Sequence, residues 1–320
     1  MMATPLQSMN QVSGPPRADA LQRSSDVWFD DGNVVIVAQG TAFRVHRGVV
    51  ARKSDIFRDM FSIPQPAASL ETEMYDGCPV VHVSDSRVEV MLLLAAMYDI
   101  DSKIHDVGSR MPAAHAEALL KLAAKYEVPH IQRSVIKRFE IQFPATFERF
   151  LARLKNEGGV ILNPLLVKNG DIFSFIHIMR SHGLNPRLLP AAYHAASRYP
   201  FADMITAVND GRWSLSEMEP CLRIREQLLA SDYDLLQHFL DQPIPSTCEN
   251  YPGCKASMDE LLEYISRYVG LHASTIFERG LDWMENKASS HALCEECVGI
   301  CSQWYRQHMS TTWDKLVAVC

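Results

Sequence analysis

The chain has 320 residues, of which 47% are hydrophobic and 22% charged, and its formal net charge is −7. This composition is typical of a globular protein, and the length is sufficient for two domains that each bury a core. The acidic balance argues against non-specific binding to nucleic acid, which requires a basic surface. The longest apolar run, residues 90–98, is far shorter than the roughly 20 residues that cross a bilayer. We therefore predict neither direct nucleic-acid binding nor membrane insertion.

The first 23 residues are expected to be a flexible leader. They contain prolines and polar residues and lack an apolar segment of signal-peptide length. We therefore expect an intracellular protein, cytoplasmic or nuclear, that is not secreted. In such a compartment the eight cysteines are expected to be reduced thiols or metal ligands rather than disulfides.

A strand hairpin followed by a helix is predicted for residues 34–61. Residues 34–38 form a continuous apolar run, which is typical of a strand buried on both faces. Residues 42–46 alternate between apolar and polar, so Phe43 and Val45 can face a core. From Arg47 the apolar residues recur at helical spacing, and Ser54 can interrupt the helix or cap a new one.

The next segment predicts a loop, a strand and a buried helix. Prolines and a glycine indicate a loop over residues 62–79, and residues 80–84 predict a central strand. Residues 86–98 are apolar almost all round, which favours a helix in the core over the wall of a ligand pocket. A pair of helices follows, starting near residues 112 and 128.

Two stretches of this first half resemble a known family. Residues 43–61, FRVHRGVVARKSDIFRDMF, resemble the strand-to-helix signature of the BTB/POZ domain, most closely its fungal branch. Residues 118–129, ALLKLAAKYEVP, are similar to the helix pair that closes the same domain. The resemblance implies an α+β fold, a small sheet flanked by helices, over residues 24–143. It also implies that surfaces, not catalytic residues, perform the function.

Residues 144–320 predict a second, all-α domain. Apolar stripes at helical spacing are separated by prolines and glycines, and no fixed repeat is present. Ser214 with Glu217 and Ser257 with Glu260 have the spacing of capping boxes. Helices are therefore expected to begin near residues 215 and 258.

Six of the eight cysteines follow residue 243. Cys248, Cys254, Cys294 and Cys297 form two pairs that can supply four thiolates to one structural zinc ion, the one cofactor expected. The first pair is separated by five residues rather than the usual two to four. The alternative is that the thiols are small buried hydrophobes on one helix face. His291 and Cys301 would serve as substitute ligands.

Signatures of catalysis are missing from the sequence. It contains no HExxH motif, no G-x-S-x-G nucleophile elbow and no G-x-x-x-x-G-K-[ST] phosphate loop. A redox role for the Cys294 and Cys297 pair would require a preceding strand, which the pattern does not predict. We therefore predict that the chain is not an enzyme and binds no small-molecule substrate.

The predicted function is a protein-interaction scaffold whose partner is another protein, the chain itself as a homodimer, or a cullin. The resemblance implies dimerisation through the segment around the first helix, for which Val27, Trp28 and Phe29 are candidate exposed anchors. The alternative is that these three residues pack on their own domain.

Two further functions are a substrate adaptor of a cullin-type ubiquitin ligase and a partner-dependent transcriptional co-regulator. Adaptors of this family commonly carry a hydrophobic residue two positions before a loop glutamate. Here Ser69 precedes Glu71 and Glu71 precedes Glu73, which weakens the adaptor hypothesis. A co-regulator would act only through a partner, because the sequence has no basic stretch.

Overall fold

The computed structural model describes residues 21–63, 73–99, 104–154, 163–167, 170–241, 244–268 and 293–320. The chain divides into two compact units. The sheet unit comprises residues 1–105 and 115–134, and the helical unit comprises residues 106–114 and 135–320. The domain boundary after residue 143 stays a prediction, as does the flexible leader, most of which lies outside the described residues.

Five strands and the first helices form the sheet unit. The strands are β1 Gln22–Trp28, β2 Val34–Ala38, β3 Thr41–Val45, β4 Met74–Tyr75 and β5 Cys78–Val83. The helices are α1 Arg47–Lys53, α2 Asp55–Ser62 and α3 Arg87–Met97, followed by α4 Ala113–Lys125 and α5 Pro129–Gln142, which each contribute residues to both units. The sheet order is β1-β3-β2-β5-β4.

The middle of the sheet confirms the predicted hairpin. Strand β2 pairs antiparallel with β3 and parallel with β5, and all five of its residues are buried. A strand that is covered on both faces requires apolar residues at every position, which is why the alternation of β3 is absent from β2. The third predicted strand corresponds to β5, which lies between β2 and β4 as expected of an interior strand.

The outer strands were not predicted. Strand β1 pairs parallel with β3, but only Ser24 and Val27 of its seven residues are buried, so it lacks the apolar alternation of a strand. Strand β4 has two residues and lies in the stretch predicted as a loop. The loop prediction for residues 62–79 is therefore wrong at its C-terminal end. Strand β1 depends on a partner about 20 positions away, whereas β4 forms a short local pairing with β5.

The helices of the sheet unit follow the sequence signals. Ser54 ends α1 and caps α2, because its hydroxyl oxygen accepts a hydrogen bond from the Phe57 amide at 3.1 Å. Ser86 and Glu89 form a capping box at the start of α3. All residues from Leu92 to Met97 are buried, which confirms a core helix.

A buried carboxylate connects the start of α3 to the end of α4. The side chain of Asp85 is 5% exposed and accepts hydrogen bonds from Lys125 Nζ at 2.7 and 2.8 Å and from Tyr126 Oη at 2.5 Å. Burial by itself raises the pKa of Asp85, but the hydrogen bonds from Lys125 and Tyr126 outweigh it, and the pKa is lowered. The folded protein therefore favours the ionised carboxylate.

We expect Asp85→Asn to lower the free energy of unfolding of the sheet unit by about 2 kcal/mol, because the buried carboxylate loses its ion pair with Lys125 and one of its two acceptor oxygens becomes an N–H donor. In the wild type this stabilisation is present above the unfolded-state pKa near 3.9 and is lost as the pH falls toward the lower folded-state value. Hydrogen exchange of the segments around α3 and α4 measures it. The control is Asp59→Asn, whose carboxylate is 73% exposed; an equal effect of both changes would contradict the prediction.

Within the described residues, the helical unit continues from α5 through seven further α-helices. These are α6 Phe147–Leu154, α7 Asp171–Ser181, α8 Leu189–Ser197, α9 Phe201–Asn209, α10 Leu215–Asp241, α11 Tyr251–Tyr268 and α12 Glu295–Val319, with a 3-10 turn at Pro186–Leu188. Among the described residues of this unit, the one β-type pairing is an isolated bridge between Met111 and Leu165. The α+β class, with helices in the C-terminal part, is confirmed. No helix within the described ranges has both the length and the apolar content of a membrane span.

The two predicted capping boxes have different outcomes. Helix α10 begins at Leu215, and Ser214 and Glu217 exchange hydrogen bonds as a capping box. The second prediction is wrong, because α11 begins at Tyr251 and Ser257 lies buried within it. Proline is tolerated in the first helical turn, where its missing N–H is not needed, so Pro252 allows the earlier start.

Candidate metal centre and interaction surface

Four cysteine sulfurs converge in the helical unit. The sulfur atoms of Cys248, Cys254, Cys294 and Cys297 all lie within 4.8 Å of one another. The Sγ of Cys248 is 3.8 Å from that of Cys294 and 3.6 Å from that of Cys297. Cys254 and Cys297 are buried, whereas Cys248 and Cys294 are half-buried. These are the four cysteines that the sequence predicts as metal ligands, and their sulfur atoms lie close together in the structure.

Two helix starts and one turn position the thiols. Cys248 follows a turn in which its amide donates to the Pro245 carbonyl at 3.0 Å, and Cys254 lies in the first turn of α11. Helix formation after residue 250 folds the chain back, so a five-residue spacing still places these two sulfurs side by side. Cys294 is the N-cap of α12 and Cys297 lies in its first turn.

The environment differs among the thiols. The backbone N–H of Cys297, at the start of α12, lowers the pKa of the Cys294 thiol to about 6. Burial raises the pKa of Cys254, and burial together with the neighbouring thiols raises that of Cys297. The start of α12 therefore favours the thiolate form of Cys294, whereas burial favours the protonated forms of Cys254 and Cys297.

The substitute ligand Cys301 is not part of this cluster. Cys301 is buried one turn further along α12, and its Sγ is 3.6 Å from the Met258 sulfur. His291 lies outside the described residues. Cys301 thus has the apolar surroundings expected of a structural thiol, whereas the other four cysteines face one another.

A second group of side chains lies on the two terminal strands of the sheet order, β1 and β4. The Arg23 guanidinium is 4.7 Å from the centroid of the Trp28 ring and 5.9 Å from that of Tyr75, and the two rings meet edge to face at 6.2 Å. Asp76 lies 3.4 Å from the guanidinium. Both rings are half-buried, and the Arg23 side chain is 55% exposed. We call Arg23, Trp28 and Tyr75 the edge cluster.

The three candidate anchors occupy different environments. Val27 is fully buried, so it offers no exposed surface, and Phe29 is half-buried and stacks on Tyr98 with ring centroids 4.5 Å apart. Trp28 alone of the three belongs to the edge cluster. Their role in binding a partner stays a prediction.

Sequence reasoning missed Arg23 and Tyr75. Arginine and tyrosine are residue types enriched at binding hot spots, and this enrichment is the signal that could have indicated them. Their contact with Trp28 depends on β1 and β4, which have no strand signal in the sequence.

The fold and the edge cluster define an α+β unit with a small sheet, flanking helices and an arginine–aromatic surface. Residues 22–140 match the family model described as the BTB/POZ domain. This family is one of protein–protein interaction modules, as the resemblance implied, and the matched segment begins at the first residue of β1. No curated protein matches the chain.

Proposed function

We propose that this chain is a protein-interaction scaffold without catalysis of its own, in which residues 22–140 bind a partner protein. The observation that carries the proposal is the match of this segment to an interaction-domain family, on a chain whose sheet unit has the corresponding small sheet with flanking helices. The helical unit then positions the bound partner or binds a second one.

The edge cluster is the proposed contact surface. Tryptophan, tyrosine and arginine are the residue types that most often dominate binding energy, and here they meet where the side chains of β1 and β4 come into contact. Strand β1 is terminal in the sheet order, and an outer strand can accept a further strand from a partner. The partner is another protein or a second copy of this chain.

Reversing the charge of Arg23 tests the surface. Full-length wild type and Arg23→Glu are used to recover partners from the cells that express the protein, with mass spectrometry, and light scattering reports self-association. We expect Arg23→Glu to weaken the main association by about tenfold or more, because the cation over two aromatic rings is lost. Arg23 is exposed, so the fold is expected to persist.

The control is Arg223→Glu, which makes the same charge change at a side chain 62% exposed on α10. It is expected to retain the association. Equal loss in both variants would remove the edge cluster as the contact surface. A monomer that recovers no partner above background would contradict the scaffold function itself.

The adaptor function remains the second candidate, because cullin binding occurs in the matched family. The glutamate pattern in the preceding loop is absent, and Ser69 and Glu71 lie outside the described residues. Glu73, the second glutamate of this loop, is described, and its carboxylate lies 2.7 Å from His82 Nε2. Near-stoichiometric recovery of a cullin would establish an adaptor, and recovery of chromatin proteins would favour the co-regulator.

We further propose an intracellular location, cytoplasmic or nuclear, in an organism of the fungal branch that the sequence resembles. All eight cysteines are free thiols in the structure, which supports a reducing compartment.

A further inference from the structure

We propose that Cys248, Cys254, Cys294 and Cys297 bind one zinc ion as four thiolates and that this ion joins the starts of α11 and α12. The proposal concerns the helical unit alone and does not depend on the proposed interaction function.

The distances fit a tetrahedral ion. With zinc–sulfur bonds of about 2.3 Å, the sulfurs of a tetrahedral site are about 3.8 Å apart. The sulfur separations of 3.8 Å between Cys248 and Cys294 and 3.6 Å between Cys248 and Cys297 agree with this value. All four sulfurs lie within 4.8 Å of one another, so a single ion can reach each of them after small movements.

The four sulfur donors indicate which metal ion the site would bind. Four sulfur donors in tetrahedral array favour zinc or iron over the harder cations magnesium and calcium. Four protein ligands leave no position for water or substrate, which is the arrangement of a structural zinc site rather than a catalytic one. The residues packed against the cluster are Ile244, Leu293 and Val298, which shield it from solvent.

The backbone also fits bound thiolates. The Cys294 amide donates to the Cys254 sulfur at 3.3 Å. Hydrogen bonds of this kind orient metal-bound sulfur and stabilise its negative charge. A group of four protonated thiols would gain little from the same donors, because S–H groups hydrogen-bond weakly.

The site would connect segments far apart in the chain. Cys254 and Cys294 are 40 positions apart, and each pair of ligands belongs to a different helix start. Binding of one Zn²⁺ displaces the protons that the four cysteines still hold, with no oxidation or reduction. We therefore expect zinc to be needed for the native packing of the two helix starts.

The first test measures metal in untagged full-length protein purified without chelators. We expect about one zinc per chain by elemental mass spectrometry, and less than about half an equivalent would overturn the proposal. Alkylation mapped by mass spectrometry provides a second readout. Cys248 and Cys294 are half-buried, so they are expected to react only after a strong chelator removes zinc.

A matched pair of variants separates the metal site from simple packing. Cys297→Ser removes a proposed ligand, and Cys301→Ser changes a buried thiol one turn along the same helix. We expect the first to lose zinc and the second to retain it. If Cys297→Ser does not fold, chelation of the wild type followed by hydrogen exchange at residues 244–256 and 293–300 replaces it, and unchanged protection there would overturn the proposal.

Cobalt substitution identifies the coordination. Replacing zinc with Co²⁺ is expected to produce the intense visible absorption of tetrahedral cobalt with sulfur-to-metal charge transfer. Two outcomes overturn the zinc assignment. One is an iron content near one equivalent in place of zinc. The other is a chain mass lower by the hydrogens of one or two disulfides, with sulfur atoms joined at about 2.05 Å.

Discussion

Replacing Arg138 with methionine is expected to lower the free energy of unfolding of the helical unit by about 3–5 kcal/mol. The Arg138 side chain on α5 is fully buried. Its guanidinium donates to the carbonyl oxygens of Asp106 at 2.7 Å, Ser109 at 2.7 Å and Pro164 at 2.9 Å. Methionine fills similar volume but leaves these acceptors without the charged donor.

The three carbonyls belong to two irregular segments, residues 104–112 and 163–167. Met111 donates to the Pro164 carbonyl at 2.9 Å and accepts from the Leu166 amide at 2.8 Å, which forms the bridge beside the arginine. We expect the loss of Arg138 to release both segments together. Arg138→Lys should recover only part of the stability, because one ammonium cannot reproduce the planar fork of donors.

Hydrogen exchange by mass spectrometry measures this effect within the full chain. Protection over residues 104–112 and 163–167 is expected to fall by a factor of about 10² to 10³. Arg133→Met changes an exposed arginine on the same helix and should alter stability by less than about 0.5 kcal/mol. Similar losses in both variants would show that the buried hydrogen bonds contribute little.

Acidification is expected to destabilise the helical unit through His194. This side chain on α8 is 3% exposed and lies edge to face with Phe150 at a centroid distance of 5.0 Å. Burial, assisted by the positive charge of Arg198, lowers the pKa of His194 to about 3. The folded protein therefore holds a neutral imidazole far below the pH at which an exposed one is protonated.

The direction in which the free energy of unfolding changes with pH follows from proton uptake by the unfolded chain. Between the unfolded-state pKa near 6.5 and the folded-state value near 3, the unfolded chain binds a proton that the folded chain does not. Stability is complete above pH 6.5 and falls as the pH decreases through this window, with a slope approaching about 1.4 kcal/mol per pH unit. The loss from this one group reaches about 3 kcal/mol at pH 4.

The comparison of His194→Gln with the wild type isolates this contribution. The variant can be less stable at pH 8, but the difference between the two proteins should shrink as the pH falls from 6.5 to 4. Denaturant unfolding at several pH values measures it, with His115→Gln at an exposed position as control. Parallel profiles for wild type and His194→Gln would contradict the prediction.

Several elements could be predicted because their signals are local. The continuous apolar run of β2, the break at Ser54 and the all-round apolar character of α3 each depend on neighbouring residues. The burial of Arg138 was not predicted, because a charged side chain gives no apolar signal. Its carbonyl partners lie 26 to 32 positions away, so no local pattern indicates them.

Of the two candidate sites, the cysteine cluster was predicted from local signals and the edge cluster was not. Cysteine is an uncommon residue with distinctive chemistry, so the types and spacings of Cys248, Cys254, Cys294 and Cys297 indicated a metal site. The hydrophobic periodicity of the sequence does not indicate whether these two cysteine pairs, which are about 40 positions apart, meet in the folded chain. The edge cluster was missed because β1 and β4 have no strand signal and because Trp28 and Tyr75, which are far apart in the sequence, meet only in the folded chain.

The sequence by itself determined the α+β class, the resemblance to an interaction domain and the residue types available for metal binding. Hydrophobic period, capping residues and cysteine spacing act over one or two helical turns, so they can be read along the chain. The tertiary structure alone decided that four thiols converge, that an arginine covers two aromatic rings at the sheet edge, and that Val27 is buried. These outcomes depend on how distant segments pack, since burial and contact are properties of the folded chain.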